Sequence, residues 1–110
     1  MSEHWIKVAQ LGDVPEEGTL LVSCGAEPVC LYNLGGKIHA THDVCTHGQA
    51  SLADGFISGE NIECPLHQGL FHIPTGKAVG VPCTVDIKVY PVKIEDGAVY
   101  LTAPFPQPSV

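Results

Sequence analysis

Two short stretches of this sequence carry residues that bind metals strongly: Cys45-Thr46-His47 and, after a spacer of sixteen residues (48–63), Cys64-Pro65-Leu66-His67. Thiolate sulfur and imidazole nitrogen are both good ligands for borderline transition metals, and two such pairs make a set of four. Each pair is mixed. A zinc-stabilised module with two cysteines and two histidines usually keeps its cysteines in one pair and its histidines in the other, which disfavours that rival. In an extended loop, residues 45 and 47 project to similar sides. Two such loops facing each other can therefore offer their cysteines to one metal and their histidines to a second, an arrangement that serves a two-iron, two-sulfide cluster whose irons have different ligands.

Loops of this kind need a frame to face each other. Twelve glycines and nine prolines cut the chain into short apolar runs, most of them rich in Val, Ile, Leu and Tyr, which is the pattern of strands and turns. Residues 4–9 read as a strand and 12–18 as a turn. Residues 18–24 and 28–34 are joined by Gly25-Ala26-Glu27, and Gly35-Gly36 leads into 37–43, a succession that predicts an antiparallel meander. Further on, 84–96 and 98–103 flank Asp96-Gly97, a hairpin signal. The apolar alternation slips from 87 and 89 to 92 and 94 across Tyr90-Pro91, where we expect a bulge or an edge position.

Residues 44–84 differ from both flanks. They are dense in Gly, Cys, His and Pro, with only brief strand candidates at 56–58, 61–63 and 70–73. We expect an all-β fold in which this region is an inserted subdomain carrying the site, seated on a scaffold built by both ends of the chain. There is no amphipathic helix, internal repeat or low-complexity segment, and 104–110 reads as a loosely held terminus.

A chain of 110 residues suits one domain, expected to span 1–110. With 45% hydrophobic and 15% charged residues it has the composition of a folded protein. No run approaches the length of a bilayer span and no secretion signal is evident, so a cytoplasmic location is expected. Five cysteines in that setting point to thiols or metal ligands, since the reducing cytosol disfavours structural disulfides. Twelve acidic residues stand against five lysines and no arginine, for a net charge of −7. Such a surface repels nucleic acid and anionic membrane and suits basic protein patches, though it also simply keeps a small protein soluble.

The two Cys/His stretches resemble the motif of the Rieske iron–sulfur proteins, C-x-H followed by C-x-x-H. The likeness extends through "CTHG", "ECPLHQGLF", "TGKA" and the "GVP" turn at 80–82. It implies a three-layer antiparallel β sandwich with the cluster-binding subdomain inserted around residues 44–84. It also implies one Rieske-type 2Fe–2S cluster per chain, with Cys45 and Cys64 on the inner iron and His47 and His67 on the outer one. A third loop containing Pro82 would cover the cluster. Neutral histidines in place of two thiolates remove negative charge, so Rieske centres lie roughly between −150 and +300 mV against about −400 mV for plant-type ferredoxins. Respiratory Rieske proteins add a bracing disulfide and Ser and Tyr hydroxyl donors. Here those positions hold Ala50, Leu66, Gly69 and Phe71, which implies the low end of the range.

Within the family, the chain is most similar to the stand-alone ferredoxins of aromatic-ring-hydroxylating dioxygenase systems of the naphthalene and biphenyl type. That resemblance implies a one-electron carrier and not an enzyme. It would pass electrons from an NAD(P)H-dependent flavoprotein reductase to a terminal Rieske non-haem iron oxygenase, with transient docking at the His47/His67 edge. No dinucleotide fingerprint and no two-His, one-carboxylate iron site is found in the chain itself. The alternative is the small Rieske-like subunit of assimilatory nitrite reductase, many of which lack the ligands that this chain keeps.

The remaining candidates have plainer readings. Cys24, Cys30 and Cys83 are expected to be small buried hydrophobes, with Cys83 set apart because it follows Pro82. His39 and His42 lie in a predicted strand as scaffold or surface residues, and His4 is terminal. His72 stands where related ferredoxins often have Asp or Asn and reads as a strand residue near the cluster. Gly48 and Gly69, beside ligands, would let backbone N–H groups approach the sulfides.

Overall fold

Residues 5–46, 50–66, 69–80 and 85–102 are described by the structure, a computed structural model. Among these residues, ten strands form three antiparallel sheets. The first, in the order β1-β10-β9, joins the two ends of the chain: β1 is Ile6–Gln10, β9 Val92–Glu95 and β10 Ala98–Leu101. The second is the expected meander of β2 (Thr19–Cys24), β3 (Glu27–Leu34) and β4 (Lys37–His42). The third comprises β5 (Phe56–Ser58), β6 (Asn61–Glu63), β7 (Leu70–His72) and β8 (Ala78–Gly80), all from the inserted region. Short 3₁₀ turns at Leu11–Asp13 and Leu52–Asp54 complete the regular structure of the described residues. No helix among them is long and apolar enough to cross a membrane.

Strand β3 explains the layering. A strand presents alternate side chains to opposite faces, and in β3 both faces are buried, which is why Val29, Cys30, Leu31 and Tyr32 read as an unbroken apolar run. Val29 and Leu31 enter a core with Val14, Cys24, Ile38, Ala40, Tyr90, Val99 and Leu101. Cys30 and Tyr32 enter the other, with Cys45, Leu52, Ile62, Cys64, Phe71, Ile73 and Ile87. The meander is thus the middle layer between the sheet made by the chain ends and the inserted subdomain. Each large side chain buried in this way contributes roughly 1.5–3 kcal/mol.

The slip at Tyr90-Pro91 has a specific cause. Up to Tyr90 the chain runs along β4: the His42 N–H donates to the Lys88 carbonyl at 2.9 Å, the Tyr90 N–H donates to the Ala40 carbonyl at 3.0 Å, and Thr41 bridges Val89. From Val92 onward it pairs with β10 instead. Pro91, which has no N–H to offer a ladder, stands where the chain changes sheet. The inward face changes with the sheet, so no bulge is needed; β9 is an edge strand, as the proline suggested. The hairpin at Asp96-Gly97 has both residues at positive φ, 54° and 76°, as a type I′ turn requires. Strand β8 was not anticipated from the sequence; its pairing with β7 shifts register between Leu70 and Phe71, and so short and irregular a strand has no clear alternation.

Candidate functional site

Both cysteines of the motif face the same core because of strand parity. Thr41, Asp43 and Cys45 are buried in alternation at the end of β4, toward the Tyr32 side of the meander, where the Tyr32 and Thr41 hydroxyls meet at 2.8 Å. Ile62 and Cys64 alternate in the same sense along and just beyond β6, and both are fully buried. The two rows meet in one apolar cluster, so Cys45 and Cys64 share it although nineteen positions separate them.

Each cysteine also begins a loop closed in the same way. The Cys45 N–H donates to the Ala50 carbonyl at 2.9 Å, and the Cys64 N–H donates to the Gly69 carbonyl at 2.8 Å. Residue one is thus bonded to residue six in both loops, and the second partner of each motif lies inside the closed span. His47, Gly48 and His67 fall outside the described residues, as do Pro82, Cys83 and His4. Among the described residues no cluster of three or more His, Cys, Asp or Glu side chains forms a metal site by itself.

The stems of the two loops differ. Beneath the second lies a regular ladder, with Ile62 opposite Phe71 and Glu63 opposite Leu70. Beneath the first there is a single bridge, Val44 to Ser51. Asp43, a buried carboxylate that sequence reasoning did not single out, adds to this stem. Its Oδ2 accepts from Ser51 Oγ at 2.6 Å, its Oδ1 accepts from the Ala53 N–H at 2.9 Å, and its backbone carbonyl accepts from the Leu52 N–H at 2.7 Å. Thr46 Oγ1 donates to the Val85 carbonyl at 2.7 Å and ties the first loop to the chain just beyond residues 81–84. Leu66 and Val85 are exposed apolar residues beside these loops.

The other sequence candidates have scaffold positions. Cys24 and Cys30 are buried, and burial pushes the Cys30 thiol up to about 12; a hydrogen bond with Tyr32 opposes this, and the Asp43 and Asp54 carboxylates add to it. Burial, followed by the Glu27 carboxylate, also raises Cys24. His42 Nδ1 lies 3.4 Å from Glu27 Oε1. His39, half-buried on β4, is held below the ordinary histidine range by burial first and by Lys37 and His72 in addition, with Glu60 opposing. His72 sits at the end of β7 remote from the loop, its ring nitrogens 2.9 Å from Thr75 Oγ1 and 3.2 Å from Glu60 Oε1.

Sequence comparison accounts for the shared architecture: residues 4–91 match the Rieske [2Fe-2S] domain family. The chain belongs to the Rieske family. A relative from Ralstonia sp., the ferredoxin component of naphthalene 1,2-dioxygenase/salicylate 5-hydroxylase systems, is 50% identical over 92% of this chain and 97% of its own length. Among solved structures, a ferredoxin of Sphingomonas yanoikuyae B1 superposes with a TM-score of 0.87 at 39% identity, covering 92% of this chain and 100% of that one. A chain from a complex of reduced oxygenase and oxidized ferredoxin in carbazole 1,9a-dioxygenase superposes with a TM-score of 0.84 at 39% identity, over 92% of this chain and 94% of that one. The Rieske family is defined by its 2Fe–2S cluster, and two buried cysteines sharing one apolar cluster are thiol donors of the kind that could hold such a group.

Proposed function

We propose that this chain, as one domain over residues 1–110, is the ferredoxin of a multicomponent aromatic-ring-hydroxylating oxygenase and acts as a one-electron carrier without substrate chemistry of its own. It would take electrons from an NAD(P)H-dependent flavoprotein reductase and deliver them to a terminal Rieske oxygenase in the cytoplasm. The observation that carries this is the 50% identity, over nearly the whole of both chains, to a ferredoxin component of such systems. The same relative favours the carrier over the nitrite reductase subunit, as does the complete ligand motif.

A bound Rieske cluster supplies one-electron redox chemistry. Cys45 and Cys64 are the residues proposed to hold its inner iron from within the core, and His47 and His67 those proposed to hold the outer iron. The core around the cysteines excludes water from their side of the site, since Cys30, Tyr32, Leu52, Ile62 and Phe71 are all fully buried. The absence of the bracing disulfide at Ala50 and Leu66, and of hydroxyls at Gly69 and Phe71, leaves negative charge on sulfur less stabilised, which supports a potential at the low end of the Rieske range. Exposed Leu66 and Val85 offer apolar contact beside the His47/His67 edge, suited to a partner that docks transiently.

Purification under anaerobic conditions should give a brown protein with two irons and two acid-labile sulfides per chain. EPR of the reduced form should show the low average g-value of mixed Cys/His ligation, and a redox titration should place the midpoint at the low end of the Rieske range. A chain that stays free of iron and sulfide after reconstitution would overturn the proposal, and a strongly positive midpoint would overturn the low-potential assignment.

A further inference from the structure

We propose that Asp43 is the residue that positions Cys45, substituting for the strand pairing that the first loop lacks. The inference rests on the assignment of Cys45 as a cluster ligand. The asymmetry between the two stems carries it. Cys64 is held by a ladder three rungs deep, Asn61 to His72, Ile62 to Phe71 and Glu63 to Leu70, before its loop closes. Cys45 has one bridge beneath it, after which the returning chain turns into the 3₁₀ segment Leu52–Asp54 and leaves the hairpin.

Asp43 spans that gap. It lies two residues before Cys45 on the same buried row, and it is only 3% exposed. A carboxylate taken out of water is costly unless its oxygens are satisfied. Here one oxygen takes the Ser51 hydroxyl and the other the Ala53 N–H, so both sides of the stem are tied through one side chain. The Asp43 N–H donates to the Pro28 carbonyl at 3.0 Å, fixing the same residue to β3. The stem is thereby anchored to the middle sheet on one side and to the returning chain on the other. A hydrogen bond to a charged group stabilises more than a neutral one, and the short Ser51 contact is of the charge-assisted kind.

The test compares Asp43→Asn, Ser51→Ala and Ser51→Thr with a control, Asn33→Ala. Asn33 is also a buried polar residue of the meander, bonded to the Val14 carbonyl at 3.3 Å and the Gly36 N–H at 2.8 Å, at the end of β3 away from the cysteine loops. Each protein is purified with its cluster, and iron release to a ferrous chelator, reduced-state EPR and thermal unfolding are measured. Asp43→Asn and Ser51→Ala are expected to release iron about tenfold faster than wild type, as loss of one charge-assisted hydrogen bond implies, with altered g-anisotropy. Ser51→Thr, which keeps the hydroxyl, should restore the wild-type rate. Asn33→Ala should melt earlier yet release iron at the wild-type rate with an unchanged spectrum. If Asp43→Asn does not fold, Ser51→Ala and its rescue still decide the matter. Wild-type release rates and spectra in Ser51→Ala, or equally fast release from Asn33→Ala, would overturn the positioning role while leaving the cluster reading intact. A wild-type chain that holds no cluster would overturn both.

Discussion

The hydroxyl pair at the base of the cysteine core permits a signed prediction. Tyr32 and Thr41 are both fully buried and their oxygens lie 2.8 Å apart. Thr41 has one hydroxyl proton, and it points to the His42 carbonyl at 2.9 Å. Tyr32 must then be the donor to Thr41, and the two deletions are not equivalent. Tyr32→Phe removes the donor and leaves an acceptor that still makes its own bond, a loss of about 1 kcal/mol. Thr41→Val strands the Tyr32 O–H in the core, where an unmet donor costs about 1–3 kcal/mol. The Cys30 sulfur, which also meets Tyr32, is only a weak acceptor. The double variant should cost less than the sum of the single ones. For 110 residues, an unfolding entropy of about 2.1 cal/mol/K per residue makes each kcal/mol worth roughly 4 °C in melting temperature. Thermal scans of the cluster-loaded proteins at one scan rate should therefore place Tyr32→Phe about 4 °C below wild type and Thr41→Val lower still. A larger loss in Tyr32→Phe than in Thr41→Val would refute the donor assignment.

Further outcomes follow from other parts of the molecule. Replacing His47 or His67 with Ala should abolish the cluster or its normal EPR spectrum; retention of an unaltered spectrum in both would refute their role as ligands. Gly76 and Gly97 share a φ of 76°, but a Cβ at Gly97 meets open space whereas one at Gly76 runs into the Ile87 carbonyl. Gly97→Ala should thus cost about 1 kcal/mol by strain and Gly76→Ala about 2–4 kcal/mol by strain and overpacking together, as read from melting temperatures. The Cys30 thiol, raised by burial from its ordinary value of 9.0 to about 12, supports folding fully below pH 9, and that support is lost as pH rises toward 12. Native protein should accordingly resist alkylation of Cys30 at pH 8 and lose stability progressively above pH 9, as followed by mass spectrometry and circular dichroism.

Much of this was legible in the residues. The meander from 18 to 43 and the Asp96-Gly97 hairpin declare themselves because alternating apolar residues and positive-φ turn residues are local signals. The paired Cys/His spacing is local too, and the parity of the strands that lead into it sends Cys45 and Cys64 into one core. What could not be read were features set by tertiary partners. The slip at Tyr90-Pro91 reads as a bulge or an edge position, and β9 is indeed an edge strand, but the slip itself marks a change from β4 to β10 as partner, which no alternation can reveal. Strand β8 owes its existence to pairing with β7. Asp43 looked like one acid among twelve, since a carboxylate's burial depends on donors at Ser51 and Ala53 that approach only when the loop returns.

The doubly covered strand β3 bears on how the molecule opens to solvent. Its amides at Val29 to Tyr32 are bonded within the meander while both surfaces are sealed by separate apolar cores, so fraying of the chain ends or of the cysteine loops alone uncovers at most one side. Deuterium should reach these amides last, at rates set by global unfolding. A protein stripped of its metal centre should betray the loss there as well, because the wall its two halves lean on is the same one.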